Sequence, residues 1–82
     1  MYEKISQPIE VVVAFHKGRV EPMTFKWGNR YIQVKKVNLV HSERHGRERI
    51  TYFSVSDGAN NAFRLSFAPE GMQWQLEELA TM

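Results

Sequence analysis

Tyr31-Ile32-Gln33-Val34-Lys35-Lys36-Val37-Asn38-Leu39 changes phase halfway along. Ile32 and Val34 share one parity, whereas Val37 and Leu39 share the other. Successive side chains of a strand point to opposite faces, so a regular strand would put these two pairs on different sides. One extra residue at Lys35-Lys36 brings them back together, which predicts a β-bulge there and a bend in the sheet. The alternative reading is a regular strand buried on both faces.

The flanking segments repeat the strand pattern. On the N-terminal side, Ile9, Val11, Val13 and Phe15 alternate with Glu10, Val12, Ala14 and His16, and Met23, Phe25 and Trp27 alternate with Thr24 and Lys26. Pro22 lacks an N–H for a ladder and marks an edge or an irregular start. On the C-terminal side, Phe53 and Val55, then Phe63, Leu65 and Phe67, then Met72, Trp74 and Leu76 continue the two-residue period. Gly18, Gly28, Gly46, Gly58 and Gly71 separate these runs, each beside turn-forming neighbours.

The expected fold is therefore all-β: a six-stranded, strongly bent antiparallel meander in one domain spanning residues 1–82. Residues 1–7 are expected to be loosely ordered. Glu77-Glu78-Leu79-Ala80 favours a short C-terminal helical turn. No window of ten or more residues has helical periodicity, so no helix is expected to cover the apolar face of the sheet. The sheet must curl on itself as a small half-barrel or stack against a second copy.

With 82 residues, 43% of them hydrophobic and 24% charged, the chain reads as one small folded domain. It has no cysteine, which removes disulfides and thiolate metal sites. The longest apolar run, Val11 to Phe15, is too short to cross a membrane, and the N-terminus lacks a signal-peptide pattern. A cytoplasmic protein without membrane contact is expected.

Net charge is only +2, yet its distribution is uneven. Between His16 and Arg49, Lys17, Arg19, Lys26, Arg30, Lys35, Lys36, Arg44, Arg47 and Arg49 face only Glu21, Glu43 and Glu48. Outside that span Lys4 and Arg64 meet six acids. A concentrated positive field attracts polyanions. If Ile32 and Val34 face the core, Tyr31 points outward near Lys26, Arg30 and Lys35, where a base can stack while lysine and arginine hold phosphates. The bland reading is that basic residues protect edge strands and that a half-buried tyrosine is ordinary in a sheet.

Catalytic patterns are weak. His41 and His45 fall in a strand-to-turn segment with no Cys and no HExxH, so no metal is expected. Asp57 belongs to the turn Ser56-Asp57-Gly58. No serine sits in a nucleophile elbow, no glycine-rich phosphate loop occurs, and Glu77 and Glu78 as strand neighbours point to opposite faces. No cofactor and no enzymatic activity are expected. Asn60-Asn61 can cap backbone groups or read a base edge or peptide.

Pro8-Ile9-Glu10-Val11, Gly18, Pro22 and Phe25-x-Trp27-x-x-Arg30-Tyr31-x-x-Val34-x-x-Val37 carry a resemblance. Over residues 8–37 the chain resembles a family of short, uncharacterised all-β bacterial domains. These stand alone or end proteins related to Y-family, damage-tolerance DNA polymerases. The resemblance implies a small bent antiparallel sheet, an accessory role near DNA or its replication machinery, and no catalytic residue.

The expected function is a non-enzymatic binding module meeting DNA or RNA, or a nucleic-acid-handling complex, through basic hairpins. Its site residues would be Lys26, Arg30, Tyr31, Lys35 and Lys36, with Arg44, Arg47 and Arg49 as a second cluster. The alternative is a protein-interaction or self-associating domain using a strand edge or an apolar face.

Overall fold

The computed structural model describes Tyr2 to Thr81. Those residues form β1 (Tyr2–His16), β2 (Arg19–Trp27), β3 (Arg30–Gln33), β4 (Lys36–His45), β5 (Glu48–Ser56), β6 (Asn61–Ala68) and β7 (Gln73–Thr81). All belong to one antiparallel sheet in the order β3-β2-β1-β7-β6-β5-β4. None of the described residues is helical, so none forms a helix long and apolar enough to cross a membrane.

β1 is the longest strand and serves two neighbours in turn. Tyr2 to Ile9 pair with β7, and Glu10 to His16 pair with β2. The β1–β2 hairpin therefore extends past the rest of the sheet. Its turn puts Lys17 at φ 50° and Gly18 at φ 76°, two positive values in succession, as a two-residue hairpin of the primed type requires.

The sheet curls. Phe25 on β2 and Phe63 on β6 lie three strand positions apart, about 14 Å in a flat sheet. Their rings nevertheless meet edge to face with centroids 5.2 Å apart. Phe25, Ile32, Phe53, Val55, Phe63, Leu65 and Leu76 fill the enclosed core, and Ile9, Val11, Trp27 and Trp74 pack against it.

Lys35-Lys36 is not a bulge. β3 ends at Gln33, and the chain changes partners across the next two residues. The Val34 N–H donates to Met23 O on β2 at 2.9 Å, and the Lys35 N–H donates to Ser56 O on β5 at 2.8 Å. This exchange divides one expected strand into β3 and β4, so the sheet has seven strands instead of six. The bulge itself falls at Asn38, between the pairs Val37–Val55 and Leu39–Ser54. Three Cα steps from Gln33 to Lys36 span at most about 11 Å, so the two edge strands approach each other here. Beyond Val34 no ladder joins β2 to β4 among the described residues, and the half-barrel stays open.

Both chain ends differ from expectation. The segment expected to be loosely ordered is the start of β1 from Tyr2 onward, paired with β7; Met1 lies outside the described residues. The tail is strand to Thr81, not a helical turn. Arg64 pairs with Glu78 and Leu65 with Leu76, leaving Glu77 as the extra residue of a bulge. That bulge lets Leu76 and Leu79, three residues apart, both pack on the core. A further bulge, at Met23, similarly buries Pro22 and Phe25 together and leaves Met23 exposed.

Candidate functional site

Two polar regions stand out, on opposite faces of the sheet. The inner face of β4 and β5 begins with Val40 opposite Phe53, continues through Ser42 opposite Thr51, and ends with Arg44 opposite Arg49. The Ser42 and Thr51 hydroxyls hydrogen-bond at 3.1 Å. Like charges directly across a ladder repel. Among the described residues no acid lies within ion-pairing distance of Arg44 or Arg49.

This track opens into a groove of about 830 Å³ where β2 and β4 part. Arg19, Val20 and Glu21 form one wall and Val37 to Val40 the other. Phe53 and Phe67 line it from within the curl, and Arg49 stands at its edge. Three consecutive residues of β2 line the groove because its wall is a strand edge, not a strand face. Val20 pairs with Phe15 across the β1–β2 hairpin, so the two side chains share a face. Phe15 is 79% exposed. The arrangement offers apolar surface with arginines around it and a single acid, Glu21.

The second region lies on the outer face and is paired largely within itself, although the buried Arg64 Nε has no hydrogen-bond partner among the described residues. His41, Glu43 and His45 occupy alternate positions of β4, so their spacing on a strand puts all three on one side. Glu43 bonds to His41 at 3.1 Å and lies 3.5 Å from His45 and 3.7 Å from Arg64. The hydrogen bond from His41, with the nearby His45 and Arg64 charges, holds the Glu43 carboxyl below its ordinary range. The Arg64 guanidinium covers the Tyr52 ring at 4.4 Å and also pairs with Glu78 at 3.7 Å. Burial, with the charges of Glu43 and Glu77, pushes the Tyr52 hydroxyl above its usual value. Ser66 Oγ donates to Glu77 Oε2 at 2.5 Å. The bulge thus sets Glu77 and Glu78 on the same face, contrary to the expectation from strand alternation. No group of three or more His, Cys, Asp or Glu among the described residues could hold a metal ion.

The residues expected to form the site do not gather in one place. Lys26 and Tyr31 pair across β2 and β3 on the outer face, with Lys26 Nζ 5.7 Å from the ring centroid and Tyr31 74% exposed. Arg30 pairs with Trp27, the opposite parity to Tyr31. The Lys35 side chain packs over the Gly58 turn, and Lys36 opens β4 opposite Ser56. Arg44, Arg47 and Arg49 lie at the far end of the β4–β5 hairpin, about 26 Å from Lys36 along the strand. Phe15 and Arg19 were not among the expected site residues. The available signal was the β1 pattern, whose apolar parity runs on to Phe15 immediately before His16-Lys17-Gly18-Arg19.

Comparison of the chain with protein-family models, curated proteins and solved structures finds no match.

Proposed function

We propose that this protein is a non-enzymatic module that binds nucleic acid along the inner face of its β4–β5 hairpin and the adjoining groove. The observation that carries this reading is the Arg44–Arg49 pair, unneutralised by any described acid and continuous with a groove that Arg19 and Arg49 flank. A phosphate between the two guanidiniums relieves their repulsion, and released counterions add affinity. Lys26 and Tyr31 form a separate exposed platform on the outer face. The resemblance of residues 8–37 to accessory domains of polymerase-related proteins supports the same reading.

The second reading is a protein contact by strand addition, favoured by the outer edge of β4, which carries no ladder among the described residues. Titration with fluorescent oligonucleotides at two salt concentrations tests the first reading. Binding that weakens steeply with salt, and that Arg44→Gln and Arg49→Gln reduce, supports it. Absence of binding at low salt removes it and leaves strand addition.

A further inference from the structure

We infer that the ligand of the groove is single-stranded nucleic acid and that Phe15 is a stacking residue; this rests on the nucleic-acid reading above. Phe15 has the inner parity of Ile9, Val11 and Val13, but it sits where the β1–β2 hairpin has run past the core. Ile9 and Val11 pack on the core, whereas Phe15 is 79% exposed. An exposed aromatic beside a groove is apolar surface that a ligand gains by covering.

Its surroundings say what covers it. Val20, directly opposite, lines the groove, and Lys17 and Arg19 follow within the same hairpin. Across the groove stand Arg49 and, opposite it, Arg44. An aromatic with cations spaced around it suits a ligand that alternates flat apolar rings with anions, which describes unpaired bases on a phosphate backbone. The groove adds an apolar surface of Val20, Val40 and Phe67 for a second base.

Duplex suits this site poorly. Its bases are stacked inside and its phosphates lie outside, so it meets the arginines and leaves Phe15 and the groove lining unused. The two chemistries therefore separate by residue: the arginines serve any polyanion, and Phe15 serves only a strand with free bases.

The test measures binding of oligo-dT, oligo-U and a DNA duplex of equal length to the wild type, Phe15→Ala, Phe15→Trp and Arg49→Gln. Phe15→Ala is expected to weaken both single strands about 5- to 150-fold, leaving duplex binding and the salt slope unchanged. Phe15→Trp retains single-strand affinity because the ring is kept. A large difference between oligo-dT and oligo-U assigns the strand as DNA or RNA, and equal affinity assigns both; either agrees with the inference. If single and double strands bind alike, Phe15→Ala has no effect and Arg49→Gln weakens both, the inference is overturned and the nucleic-acid reading stands. If no oligonucleotide binds at low salt, both fail. Circular dichroism of Phe15→Ala confirms that the fold is intact.

Discussion

Arg44 and Arg49 face each other across the β4–β5 ladder, on the inner side of the sheet, with no described acid to separate their charges. Opposite charges at such positions stabilise a sheet and like charges destabilise it. Arg49→Glu is therefore expected to raise stability by roughly 0.2–1 kcal/mol. The same change is expected to abolish oligonucleotide binding. Urea denaturation beside a binding assay reads both effects, and a loss of stability would show that the pair is not repulsive.

The two phenylalanines of the N-terminal hairpin differ sharply in burial. Phe25 is 1% exposed and meets Phe63, so Phe25→Ala should cost about 3–5 kcal/mol and leave so small a domain largely unfolded. Phe15→Ala should change stability by no more than about 0.5 kcal/mol. Thermal unfolding of the two variants decides the point. A large destabilisation by Phe15→Ala would mean that its ring packs in solution.

Gly58 lies at φ 85° in the β5–β6 turn, and a Cβ there would come 3.1 Å from Lys35 Cγ. Gly58→Ala combines left-handed strain with pressure on the residue that passes the chain to β5. A loss of about 1–2 kcal/mol from the strain is expected. Replacing Lys35 with alanine in the same background should recover any part due to the contact. Chemical denaturation of the single and double variants measures both.

Asp57 organises the same turn. Burial pushes its carboxyl up, but hydrogen bonds from the Asn61 side chain and from the Ala59 and Asn61 N–H groups outweigh that and hold it below its ordinary value. A carboxyl depressed in the folded state binds its proton more readily when unfolded. Its stabilisation is complete above the unfolded pKa of about 4 and is lost as pH falls through the folded value. Asp57→Asn should lower stability at neutral pH and flatten the acid side of the stability profile. An unchanged profile would assign acid sensitivity to other carboxyls.

The regular strands were legible because their side chains alternate without interruption. Phe63, Leu65 and Phe67 illustrate this, and Tyr31 is exposed as its parity predicts. Bulges hid the rest. Leu76 and Leu79 have a spacing that suits one face of a helix, yet an extra residue at Glu77 produces the same spacing in a strand. The phase change after Val34 was visible, but alternation cannot distinguish an extra residue from a change of partner. Only the bonds of Val34 to β2 and Lys35 to β5 settle it. The groove was not legible because it lies between two strands that share no ladder. His41 and His45 read in sequence only as a strand-to-turn segment; that Glu43 shares their face depends on β4 running on to His45, and the link to Arg64 on the register of β5 and β6.

A polyanion bound as proposed lies along the groove and the inner face of the β4–β5 hairpin. Backbone amide shifts recorded during titration with a short single-stranded oligonucleotide at low salt test this placement most directly. The largest changes are expected on residues 15–21 and on Val40, Arg44, Arg49 and Thr51. Absence of shifts, or shifts confined to the outer face around His41, Tyr52 and Arg64, would contradict it.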